Sequence, residues 1–321
     1  MLNKFAVRLL PLLCLVFCLA TQAAAPAANS ANPTFVDVKY GQYQRNALDF
    51  WKAKSDRPTP VVVIIHGGGF LGGDKTQMRN DPAVQICLGA GVSCAAINYR
   101  YRNTAPMQDV LRDCARAIQF LRSKANEWNI DKTRIAAYGN SAGAGTSLWL
   151  AFHDDFADPK NADPVLRESS RLACAGGLAC QFSYDFFEWK TAFKEEESKG
   201  FGEPESLWPA SYGLKSMEEL LGPAGQKIRH DCDIRGLISK DDPPVFLFSG
   251  TRGGKITSQD HLYHHPKHAE LIKKRCDEIG IDCVATIPAF NIKPAPAQAR
   301  DLREFLFQHL GVKTAGQRQV N

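Results

Sequence analysis

Several things are missing from this 321-residue sequence. It has no basic cluster interleaved with aromatics, which argues against a nucleic-acid partner. The formal charge of +5 is modest, and Lys4 and Arg8 at the N-terminus supply two of those charges. No C-x-x-C spacing and no histidine pair with a matched carboxylate spacing is present, so neither a metal site nor a cofactor is expected. There is no internal repeat. The one strongly apolar run, Leu9 to Ala20, is too short to span a bilayer and is interrupted by Pro11. With Lys4 and Arg8 before it and the small-residue stretch Thr21 to Ala25 after it, residues 1–25 read as a secretory signal peptide. That implies a secreted or periplasmic protein with no stable membrane anchor after cleavage.

Export changes how the cysteines read. Of the 10 cysteines, Cys14 and Cys18 fall in the leader, leaving an even number in an oxidising compartment. Cys87 and Cys94 flank a helix end, a glycine and a strand start, and Cys276 and Cys283 do the same. Such hairpins bring two Cα atoms within bridging reach, so disulfides 87–94 and 276–283 are expected. Cys174–Cys180 is a weaker pairing, and Cys114 and Cys232 are left over.

Residues 26–34 form an Ala/Pro/Asn-rich linker, 35–312 one large domain and 313–321 a tail. Strands are expected at Phe35–Tyr40, Ala47–Lys54, Pro60–His66 and Val92–Tyr99. Others follow at Thr133–Tyr138, Arg171–Leu178, Pro243–Gly250 and Ile281–Pro288. Helical periodicity lies between them, at Asp81–Gly89, Ala105–Trp128, Ala142–Phe152, Pro266–Gly280 and Ala297–Leu310. This alternation predicts an α/β fold, a mostly parallel central sheet with helices on both faces. Residues 183–240 break the pattern. They are aromatic, charged and irregular, and read equally as a lid-like insertion over a site or as a solvated helical elaboration.

Chemistry concentrates in two glycine-rich turns. Gly139-Asn140-Ser141-Ala142-Gly143 joins a β-prone run to a small-residue helix, so Ser141 sits on a sharp strand-to-helix turn. Upstream, His66-Gly67-Gly68-Gly69-Phe70 follows the apolar run Pro60 to Ile65, and its glycines let backbone amides turn inward. With both motifs in this order, the chain resembles the α/β-hydrolase superfamily. The likeness is to its HGGG-type carboxylesterase and acetyl-esterase branch, including feruloyl-esterase-like bacterial hydrolases. It covers nearly all of residues 35–312. It implies a serine esterase in which Ser141 attacks an ester carbonyl and the amides of Gly67, Gly68 and Ala142 form the oxyanion hole. It also implies short-chain or carbohydrate-linked esters, a small molecule or a polysaccharide, as substrate.

A serine needs a base, and here the sequence departs from the family's pattern. No histidine stands directly after the last expected strand, in Ala289-Phe-Asn-Ile-Lys-Pro294, and no acid follows Gly250 at the usual place. His153 lies on the serine's own helix, roughly 18 Å along its axis and out of reach. His66 belongs to the glycine loop and is expected to brace it. The cluster His261, His264, His265 and His268 remains, just past the carboxyl end of a strand. His265, before Pro266, is the expected base, His264 the alternative, and Asp260 the orienting acid. If none of these reaches Ser141, the chain reads as a catalytically impaired binding protein on the same fold.

Overall fold

The computed structural model describes residues 32–196 and 200–312. The expected signal peptide, most of the expected linker and the 313–321 tail therefore lie outside the described residues. Eight strands form one sheet: β1 (Phe35–Lys39), β2 (Ala47–Trp51), β3 (Thr59–Ile65), β4 (Ser93–Ile97), β5 (Ile130–Asn140), β6 (Cys174–Leu178), β7 (Val245–Phe248) and β8 (Cys283–Thr286). Their spatial order is β1-β2-β4-β3-β5-β6-β7-β8. β2 pairs antiparallel with β1 and with β4, and all other pairings are parallel.

The run Thr-Pro-Val-Val-Val-Ile-Ile of β3 is buried at every position, as a strand covered on both faces must be. Its side chains alternate between two cores. Val61, Val63 and Ile65 join the layer under the helices Met107–Ser123, Ala142–Phe152 and Lys267–Ile279. Val62 and Ile64 join the opposite layer, under Pro82–Gly89 and Leu302–His309. The expected α/β architecture is the one observed.

The insertion at 183–240 is built from short helices, Phe186–Ala192, Trp208–Ser211, Met217–Leu221 and Pro223–Asp231. Tyr184, Phe193, Trp208 and Tyr212 pack inward. Phe193 is buried, and Phe187 stands edge-on to Trp208 with ring centroids 4.8 Å apart. The Tyr212 hydroxyl donates to Tyr184 O at 2.5 Å.

The cysteine expectation needs correcting. Every cysteine among the described residues is a free, buried thiol, so neither Cys87–Cys94 nor Cys276–Cys283 is a disulfide in the structure. The helix–glycine–strand hairpins do bring the two thiols of each pair close enough to perturb one another, without a covalent bond.

Candidate active site

β5 ends in a turn that only a specific set of residues can make. Ser141 has φ 54° and ψ −123°, a strained conformation for a residue with a side chain. Strain of this kind persists only where the surroundings hold it, and here the following helix passes very close to β3. A Cβ on Gly143 would lie 2.0 Å from Ile65 O, so nothing larger than glycine fits. Ser141 N donates to Leu178 O at 2.9 Å, which ties the turn to β6. The helix Ala142–Phe152 begins at the next residue, so the Ala142 amide is among the four N–H groups with no partner inside the helix.

The glycine loop lies beside this turn. Gly68 has φ +109°, and a Cβ there would lie 2.4 Å from Gly72 O, which fixes glycine at that position. His66 braces the loop as expected. Its Nδ1 lies 2.7 Å from Gly67 O, the Tyr99 hydroxyl donates to His66 O at 2.7 Å, and the Tyr99 ring stacks on the imidazole. Burial pulls the His66 pKa below its ordinary value, which favours the neutral ring. Gly69 and Ala142 line the hollow that holds Ser141, together with Phe70, Tyr184 and Trp189. Gly67 and Gly68, expected as oxyanion residues, line a different cavity with Asn140 and Tyr138. Gly67 nevertheless abuts the serine, a Cβ there lying 3.4 Å from Ser141 Cβ, so Gly67 and Gly69 both border the serine turn.

The histidine cluster separates by helical face. In the helix Gln259–His264, Asp260 and His264 are four residues apart and share one side. His264 Nε2 is 2.8 Å from Ser141 Oγ, and His264 Nδ1 is 3.0 Å from Asp260 Oδ1. With Nδ1–H donating to the carboxylate, Nε2 is left to accept the serine proton, the tautomer a general base needs. Asp260 is 87% exposed and His264 only 25% exposed.

His265, the expected base, does not reach the serine. Its Nε2 lies 3.0 Å from Gly254 O, and its Nδ1 accepts from Lys267 N at 3.2 Å. The side chain is spent on backbone groups of its own loop. His261 and His268 are used in the same way, with Nε2 at 2.9 Å from Arg252 O and from Leu262 O respectively. His153 pairs with Asp231 Oδ1 at 2.8 Å. The expected acid, Asp260, and the alternative base, His264, are therefore the pair brought to Ser141. Among the described residues, no group of three or more His, Cys, Asp or Glu is placed to hold a metal ion.

The chain resembles known proteins across most of its length. It is 36% identical over 231 residues to a probable carboxylic ester hydrolase, LipM, of Mycobacterium tuberculosis; the match covers 70% of this chain and 49% of that protein. The chain thus spans about half the length of that relative. Among solved structures, a truncated carbohydrate esterase from gut microbiota superposes with a TM-score of 0.61 at 16% identity, over 89% of this chain and 96% of that one. An acetyl ester-xyloside bifunctional hydrolase from Caldicellulosiruptor lactoaceticus superposes with a TM-score of 0.58 at 20% identity, over 83% and 88%. Those likenesses show the same fold. The BD-FAE family model matches residues 48–261, which take in the glycine loop, the serine turn and the first half of the helix Gln259–His264, ending three residues before His264. By that match the chain belongs to the BD-FAE family of feruloyl esterase-like α/β-hydrolases.

Proposed function

We propose that the protein is an exported serine carboxylesterase acting on short-chain or carbohydrate-linked esters through an acyl-enzyme on Ser141. The observation that carries this reading is the 2.8 Å approach of His264 Nε2 to Ser141 Oγ. It supplies the base that the sequence lacks at the family's usual place, and it favours an enzyme over a binding protein that has lost its catalytic groups.

In this mechanism Ser141 Oγ attacks the ester carbonyl while its proton passes to His264 Nε2. Asp260 holds the imidazole in the orientation and tautomer that this transfer needs. The oxyanion rests on the amide of Ala142 and on amides of the Gly67–Gly69 run, whose charge complementarity supplies the largest part of the rate gain. The C–O bond to the alcohol breaks as that oxygen takes the proton from His264. Water then repeats the sequence on the acyl-enzyme, giving up its proton to His264 and releasing the carboxylic acid and the free Ser141 hydroxyl. The substrate class follows from the resemblance, from the relative's name as a carboxylic ester hydrolase and from the names of the neighbouring esterase structures. Export rests on the sequence of residues 1–25.

The test is hydrolysis of p-nitrophenyl acetate and butyrate and of an acetylated xylo-oligosaccharide by the protein and by Ser141→Ala. Turnover by the wild type and a loss of more than about 10³-fold in the variant are expected. Equal rates in the two would overturn the reading.

A further inference from the structure

Two hollows meet at the site, and the residues they share form the wall between them. The inner one, with about 560 Å³ of empty space, holds Ser141. The outer one, with about 1560 Å³, lies under the insertion between the helix Phe186–Ala192 and residues 200–208. Phe186, Trp189 and Glu203 line both. Two of these are large aromatics, and the third is a carboxylate from the insertion.

Glu203 is held in that wall from both sides. From the inner hollow, Arg102 Nη1 meets Glu203 Oε2 at 2.6 Å, with the two side chains only 18% and 14% exposed. From the outer side, Trp208 Nε1 donates to Glu203 O at 2.9 Å. Arg102 is in turn anchored to the glycine loop, its amide donating to Phe70 O at 2.8 Å. An ion pair this buried gains little stability over an apolar pair of similar volume, so its placement in an otherwise aromatic wall calls for another role. Arg102 also keeps its Nε buried with no hydrogen-bond partner.

We propose that the Arg102–Glu203 pair is a specificity device that ends the acyl site. It bolts the insertion to the glycine loop and shuts the inner hollow off from the larger outer one, so short acyl groups are accepted and long alkyl chains are not. This inference rests on the esterase reading above. A long chain must either stop at a charged, desolvated wall or break the pair to pass, and both disfavour it. Without Glu203 the two hollows become continuous, and the outer one offers Phe186, Trp189 and Trp208 to an alkyl tail.

The experiment measures kcat/KM for p-nitrophenyl acetate, butyrate and octanoate with the wild type, Glu203→Ala and Glu203→Gln, with thermal unfolding confirming that each is folded. For the wild type, octanoate should fall at least about tenfold below butyrate. Glu203→Ala should raise the octanoate-to-acetate ratio by about tenfold or more, whereas Glu203→Gln, which keeps the bulk, should move it by less than about threefold. A wild type as fast on octanoate as on butyrate would overturn the proposal, and so would a folded Glu203→Ala with an unchanged ratio. Octanoate binding is also followed by tryptophan fluorescence in Ser141→Ala with and without Glu203→Ala, since Trp189 and Trp208 line the outer hollow. Tighter octanoate binding on loss of Glu203 is expected there too. If no ester is turned over but that gain is present, the esterase reading falls and the wall stands. If esters are turned over with an unchanged length profile, the wall falls and the esterase stands.

Discussion

Asp260 holds His264 at 3.0 Å while itself 87% exposed. An acid so open to water is screened and competes with solvent for its partner, so it orients the imidazole more than it stabilises its charge. Asp260→Asn is therefore expected to lower kcat by only about tenfold, against the roughly 10⁴-fold seen where the triad acid is buried. The ester rate of the purified variant decides this, and a loss above about 10³-fold would show that the carboxylate does far more than its exposure allows. At Gly143, by contrast, there is no tolerance. A methyl group 2.0 Å from Ile65 O cannot be relieved by a side-chain rotation, because both partners are backbone. Gly143→Ala should cost about 3 kcal/mol or more in urea unfolding, and a loss under about 1 kcal/mol would mean that the elbow and β3 are not held at this distance. The two glycine motifs were legible from sequence because each answers a local steric demand of this kind.

The histidine cluster shows what was not legible. His264 and His265 are neighbours in sequence with the same ring chemistry, and only the local helix tells them apart. That helix, Gln259–His264, is six residues long and has no apolar stripe strong enough to reveal its phase. Once it forms, positions 260 and 264 fall on the side facing the serine, while His261, His265 and His268 bond to backbone oxygens of Arg252, Gly254 and Leu262. Residues of the insertion also hold this segment in place. Glu196 O accepts from Ile256 N at 2.8 Å, and Glu196 Oε1 meets Lys267 Nζ at 2.6 Å. No pattern in the sequence links Glu196 to Lys267 across so long a separation, so the placement of the base depended on a tertiary contact. The strands and the long helices, where burial on both faces fixes composition, were readable within a few residues of their observed ends.

Across the whole molecule, buried histidine makes stability depend on pH. His268 is fully buried against Phe182, Trp189 and Phe193, and burial pushes its imidazole from 6.5 down to about 3. The unfolded chain takes up a proton near pH 6.5 that the folded chain refuses until about pH 3. The contribution of this group is therefore complete above pH 6.5 and is lost as the pH falls through that window. His268→Phe should remove about one proton from the slope of unfolding free energy against pH below neutrality, ~1.4 kcal/mol per pH unit. Urea unfolding at several pH values down to about 4.5 measures that slope, and an unchanged slope in the variant would show that His268 is not the group responsible. The fold's large-scale plan places Ser141, the glycine loop and the His264 helix at one edge of the sheet, where the carboxyl ends of its parallel strands meet. The central claim is that the catalytic base is His264. Its most direct test is kcat for p-nitrophenyl acetate in His264→Ala beside His265→Ala. A loss of about 10³-fold or more in the first and less than about tenfold in the second is expected; the reverse order, or equal losses in two folded proteins, would contradict it.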